Sequence, residues 1–224
     1  MQTHETRIDA RGERILEAAM RLILRYGYDK TTMQDIAAEA SVSKSALYQY
    51  WKSKEELFAI LLIRETRQVF REWLAEVEAD PEGGTLLGIY RHCYRRLLAH
   101  PLMMAVYTKE SLALGSYMRQ RDPQLSLRVY LLNRMLVIQF QAAGLIRDDL
   151  SPRVINHLLG ILSVGLFSIH ELIPQEETPP FEEAAEALAL MVHRALAPAS
   201  PGNSEQGKRT FRNFLEQWMG SSLE

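Results

Sequence analysis

Apolar positions recur at helical spacing along almost the whole chain. Over residues 8–26, Ile15, Ala18, Ala19, Leu22 and Ile23 fall three and four apart, which predicts a helix with one face on a core. Gly27 ends it as a helix-terminating glycine. Thr32 is placed to cap a helix over about 33–40. After Ala40-Ser41-Val42 breaks the pattern, Ser43 is placed to cap another over 44–50. Ile36, Ala37, Ala40, Val42 and Leu47 supply the apolar inside of this pair, as two helices joined by a turn of about 3–4 residues require. Ser53 and Glu56 have the capping-box spacing and open a long helix over about 54–79. Beyond the break at Asp80-Pro81-Glu82-Gly83-Gly84, further helices are expected at about 85–100, 102–119, 123–143, 152–172 and 181–196. His100-Pro101, Asp122-Pro123, Gly144, Ser151-Pro152 and the prolines at 174, 179 and 180 separate them. No alternating segment and no internal repeat is found, so the expected fold is all-α.

The two ends have different character. Residues 1–8 are polar and read as a loose leader. Residues 197–207 have linker composition, and 208–219 form an amphipathic turn set with Phe211, Leu215 and Trp218 on one face. This tail can dock on its own subunit, reach to a partner or stay mobile. Docking is favoured, since three large apolar side chains are costly to leave in water.

Charge narrows the function classes. The chain of 224 residues has a formal net charge of -2, so any affinity for nucleic acid has to come from local placement of charge. The helix at 44–50 offers that placement. Lys44, Ser45, Tyr48 and Gln49 share one face while Leu47 points away, and between Glu39 and Glu55 the only charged residues are Lys44, Lys52 and Lys54. A short helix with an exposed polar N-terminal half, flanked by lysines, suits a major groove lined with phosphates. An ordinary helical hairpin with a solvated basic face fits the same spacing.

Several segments together, in this order, are similar to the DNA-binding domain of the TetR (tetracycline-repressor-like) family. They are R-I-L-E-A-A-x-x-L at 14–22, Gly27-Tyr28, T-x-x-x-I-A at 32–37, V-S-K-x-x-L-Y-x-Y at 42–50 and S-K-E-E-L-F at 53–58. Two positions depart from the family pattern. Ser41 stands where a glycine is usual in the helix-helix turn, and Trp51 where a phenylalanine is usual. If the backbone at Ser41 is left-handed, serine costs about 1 kcal/mol there.

The resemblance implies an N-terminal three-helix helix-turn-helix domain joined by a long helix to a helical ligand-binding and dimerisation bundle. The corresponding segments are 8–55, 56–198 and a linker with amphipathic helix at 199–224. It implies a dimeric regulator, most often a repressor, that binds palindromic double-stranded operator DNA and is released when a small molecule shifts the long helix. Thr32, Gln34, Ser43, Lys44, Ser45, Tyr48, Gln49, Tyr50 and Lys54 are the expected DNA-binding residues. Tyr50 and Lys54 are assigned to phosphates; Lys44, Ser45, Tyr48 and Gln49 lie nearest the base edges. An activator, a corepressor-dependent form and a DNA-binding protein without a ligand are the alternatives.

Residues 90–140 are rich in tyrosine and methionine, with Tyr94, Met104, Tyr107 and Phe140 the candidates for lining a pocket for an unidentified apolar or amphipathic effector. Taken singly, each is better suited to a bundle core; as a group within a domain that resembles a ligand sensor, some are expected to line a cavity. The helix at 152–172 is apolar nearly all round, with Gly160, Ser163 and Gly165 permitting close approach, and is expected to be buried on every side; with the helix at 181–196 it matches by position and character the family's dimer-forming pair, and the two are also able to close their own core. No two of His92, His100, His157, His170 and His193 form a close ligand pair, and Cys93 is the single cysteine, so neither a metal nor another cofactor is expected. No constellation for an enzyme is apparent, nor a glycine-rich phosphate loop. The N-terminus lacks a signal-peptide core and no run is long enough to span a bilayer, so a soluble cytoplasmic protein without a membrane partner is expected.

Overall fold

A computed structural model describes residues 8–108, 117, 123–169, 172–200 and 202–221, and leaves out the side chains at 106–108, 123–129, 175 and 220–221. The expected leader before Ile8, the second half of the helix expected at 102–119, the side chain of Tyr107 and His170 lie outside the described residues. Among the described residues there is no strand. The helices are α1 (Ala10–Tyr26), α2 (Met33–Glu39), α3 (Lys44–Tyr50), α4 (Lys54–Ala79), α5 (Leu86–Ala99), α6 (Pro101–Thr108), α7 (Pro123–Ala142), α8 (Pro152–Ser168), α9 (Phe181–Leu196) and α10 (Ser204–Ser221).

By packing, the chain divides into two units. One gathers the described residues among 8–68 and 101–117; the other gathers those among 69–100 and 123–221. The first half of α4 and the α6 segment pack with the N-terminal helices, and α10 packs in the second unit.

In the first unit, Ile15, Leu16, Ala18, Ala19 and Ile23 of α1 meet Ile36 of α2, Leu47 of α3 and Leu57, Phe58 and Leu61 of α4 in a core with essentially no solvent exposure. Tyr28, Phe58 and Tyr117 form an aromatic cluster, with ring centroids 4.5–5.3 Å apart. Such pairs add about 0.5–1.5 kcal/mol each beyond the area they bury. Arg64 bridges the buried Glu65 and Glu13 of α1.

The second unit is a helical bundle in which α5 packs on α9, and α7 on α8 and α10. Trp73 donates its indole N–H to the Ile89 carbonyl at 2.9 Å and packs on Phe211, while Phe70 meets Trp218 edge to face. The tail is thus docked within its own unit, and Phe211 and Leu215 are fully buried. Its helix begins at Ser204, so the linker is shorter than its composition indicates. Two glycines make the docking possible. A Cβ on Gly207 would stand 1.8 Å from the Gly84 carbonyl oxygen, and one on Gly84 1.8 Å from that of Ser204.

Helices α8 and α9 do not bury every side. Ile155, Leu159 and Phe167 point inward, but Val154, Leu158, Ile161, Leu162 and Val164 are exposed, as are Leu190 and Met191 of α9. A side chain added at Gly165 would meet nothing within 4 Å. The even apolarity of α8 in the sequence therefore reflects one inward face and one bare face.

Candidate nucleic-acid interface

Helix α2 begins where Thr32 caps it. The Thr32 hydroxyl accepts the Asp35 amide at 3.1 Å, and the Asp35 carboxylate accepts the Thr32 amide at 3.0 Å. This reciprocal box occupies the Thr32 side chain and holds the Asp35 carboxyl below its ordinary range. Helix α2 ends in a Schellman turn: the Val42 amide donates to Ala37 and the Ser41 amide to Ala38. That geometry needs a left-handed residue, and Ser41 has φ 54. The turn delivers Ser43, whose hydroxyl accepts the Ala46 amide at 3.1 Å and starts α3.

Leu47 is the fully buried side of α3. Its other side presents Lys44, Ser45, Tyr48 and Gln49 to solvent, and Gln34 of α2 is exposed as well. The Lys44 ammonium lies 6.0 Å from the Tyr48 ring centroid, and the Ser45 hydroxyl 3.0 Å from that of Ser43. Four side chains with donors therefore line one short, exposed helix face, the arrangement expected from the sequence.

Two of the expected phosphate contacts have internal partners. The Lys54 ammonium donates to the Tyr28 carbonyl at 2.8 Å and the Thr31 carbonyl at 3.0 Å, with the Tyr28 ring centroid 4.1 Å away. The Tyr28 hydroxyl donates to Glu55, and burial together with that carboxylate pushes the phenol pKa up. The Tyr50 hydroxyl lies 2.8 Å from both carboxylate oxygens of Asp9. Asp9 in turn caps α1 by accepting the Arg11 and Gly12 amides. Nothing in the sequence marks Asp9, Gly12 or Tyr28 as a site residue. An aspartate just before a periodic run is a cap signal, but nothing in the sequence reports a partner 41 residues away.

The capping box at Ser53 forms with a shift. The Glu56 amide donates to the Ser53 hydroxyl, but the Glu56 carboxylate accepts the Lys52 amide instead of that of Ser53. The joint between α3 and α4 is thereby closed, and Trp51 is buried inside it.

The expected effector contacts are divided between the two units. Tyr94 and Phe140 are buried in the second unit, whereas Met104 and the backbone of Tyr107 belong to the first. One surface hollow of about 360 Å³ is lined by Gln139, Ala142, Ala143, Thr210, Asn213 and Gln217, and a small one of about 40 Å³ includes Leu86, Leu145 and His193. Tyr94, Met104 and Phe140 line neither. Among the described residues no group of three His, Cys, Asp or Glu is placed to hold a metal ion. No described helix is long and apolar enough to cross a membrane.

The comparisons agree with this geometry. The family model for bacterial regulatory proteins, tetR family, matches residues 15–61. An uncharacterized HTH-type transcriptional regulator of Mycobacterium bovis is 40% identical over 55 residues, which is 25% of this chain and 27% of that protein. The match thus spans about a quarter of the length of that curated relative. NalD of Pseudomonas aeruginosa, named as the secondary repressor of a multidrug efflux pump, aligns over 84% of this chain and 97% of its own, with TM-score 0.56 and 21% identity. FadR of Bacillus halodurans, named as a fatty acid degradation regulator, aligns over 83% and 94%, with TM-score 0.56 and 17% identity. At these identities the two structures speak for the fold. The capped helix pair and the exposed face of α3 lie within residues 15–61, the segment similar to the helix-turn-helix domain of tetR family bacterial regulatory proteins.

Proposed function

We propose that the protein is a cytoplasmic, ligand-responsive repressor that binds a palindromic operator as a homodimer. The observation that carries this reading is the exposed row of Lys44, Ser45, Tyr48 and Gln49 on a helix whose opposite side is locked into a core. Lysine reads the acceptors of guanine, and glutamine pairs with adenine through both of its edge groups. Gln34, Thr32, Ser43 and Lys54 border the row, and their backbones or donors supply phosphate contacts that set register.

Dimerisation through 152–172 and 181–196 is supported by the bare face of α8 and α9. Val154, Leu158, Ile161, Leu162 and Val164, beside Met191, form an apolar surface of the kind that marks an interface. A two-fold axis there makes the surface self-complementary. To read a palindrome, such a dimer must present two copies of α3 to successive major grooves, about 34–36 Å apart. The effector is proposed to be a small apolar or amphipathic molecule that touches Tyr94 and Phe140, both buried in the bundle. It releases DNA only if it favours the conformation with the wrong α3 spacing.

The test is selection of bound duplexes from a random pool at low salt, alongside sedimentation of the free protein. A dimer that enriches an inverted repeat is expected. Gln49→Ala should change which base is preferred at one position of each half, and Val164→Glu with Met191→Glu should yield monomers that enrich nothing. A wild-type monomer, or a pool without enrichment, would overturn the reading. A panel of fatty acids, steroids and hydrophobic cations, added to the selected complex, then tests release.

A further inference from the structure

The contact between Tyr50 and Asp9 is built from two independent features. The phenol hydroxyl lies 2.8 Å from each carboxylate oxygen. Its ring packs on Gly12, where an added Cβ would stand 3.3 Å from Cε1 and 3.4 Å from Cδ1. Gly12 is itself buried, and its amide donates at 2.8 Å to the same carboxylate. The last residue of α3 is therefore fastened to the first turn of α1 by a hydrogen bond and by a ring resting on a residue without a side chain.

This arrangement conflicts with the assignment of Tyr50 to a phosphate. A phenol has one proton, and a phosphate oxygen only accepts. Donation to Asp9 and donation to DNA exclude each other. An approaching phosphate would also meet the Asp9 carboxylate, a like charge, beside the same hydroxyl. Arg11 and Arg14, on the exposed side of α1, are better placed for phosphates near this spot.

We infer that Tyr50 is a positioning residue: with Asp9 it latches the recognition helix to α1, and the latch sets how strongly the protein prefers its operator over other DNA. Base readout needs side chains held in register to within a fraction of a groove, while attraction to the phosphates tolerates misalignment. Loosening the C-terminal end of α3 degrades the first and spares the second. The inference rests on the DNA-binding reading above.

The test uses the full chain, a duplex selected from the random pool and a scrambled duplex of the same composition. Binding is followed by fluorescence anisotropy over a salt series. Tyr50→Phe keeps the ring on Gly12 but removes the donor. Asp9→Ser keeps a capping oxygen on α1 but withdraws the acceptor from Tyr50. Each is expected to lower the preference for the selected duplex by about fivefold, with the salt slope unchanged. The double variant should be no worse than either single one, and Asp9→Asn, which retains both acceptor roles, should keep the wild-type preference. Equal losses on both duplexes with a salt slope reduced by about one phosphate would return Tyr50 to the DNA backbone and overturn the latch. Amide hydrogen exchange without DNA gives a second reading. Exchange in residues 46–51 should quicken in Tyr50→Phe and Asp9→Ser, and unchanged exchange would also overturn it. If the wild type selects no duplex, the DNA-binding reading fails instead, and exchange still decides the latch.

Discussion

The ammonium of Lys54 stands 2.8 Å from the carbonyl oxygen of Tyr28 and 4.1 Å from the centre of the same residue's ring. One side chain thus ties the first turn of α4 to the loop between α1 and α2. Lys54→Ala should cost about 1–2 kcal/mol of stability through the lost charged hydrogen bonds. It should also weaken binding to every duplex tested. Chemical denaturation, compared with anisotropy on selected and scrambled DNA, checks both effects.

Ser41 holds a left-handed backbone, φ 54, without the freedom of glycine. Its Schellman turn fixes the angle between α2 and α3, so relief of the strain should leave that angle alone. Ser41→Gly is expected to gain about 0.5–1 kcal/mol in urea denaturation, with operator preference unchanged.

Gly207 meets Gly84 at a distance that leaves no room for a methyl group. Gly207→Ala should force α10 away and cost about 2 kcal/mol. The loosening should appear as a red shift in tryptophan emission, because Trp73 and Trp218 both make ring contacts that involve α10.

Asp35 and Asp9 have carboxyls held below the usual range. For Asp35 the first cause is the Thr32 hydroxyl, and for Asp9 the Gly12 amide followed by the Tyr50 hydroxyl. Groups depressed in the folded state contribute stability above their unfolded value, near 3.8, and lose it as pH falls through the lower folded values. Melting followed by circular dichroism should show no contribution from these groups to any change between pH 7 and 5, and a fall by pH 3. Asp35→Asn should make that fall smaller.

The elements of the reading head were legible because each has a local signal. Thr32 and Ser43 cap as their spacing implied, and the apolar period of α1 needs no knowledge of the rest. What escaped depends on partners distant in the chain. Nothing near Lys54 reports that its ammonium would turn to Tyr28, and nothing near Tyr50 points to Asp9. The two-faced character of α8 was hidden because leucine and valine serve equally on a buried face and on a bare one. Composition likewise misplaced the start of α10, since Ser204 and Gly207 look like linker but pack on Gly84.

The docked tail has a practical consequence for handling the protein. Phe70 and Trp73 have Trp218 and Phe211 resting on them. A laboratory version trimmed at residue 203 would bare this aromatic strip, and such a preparation should clump on concentration where the untrimmed chain stays clear.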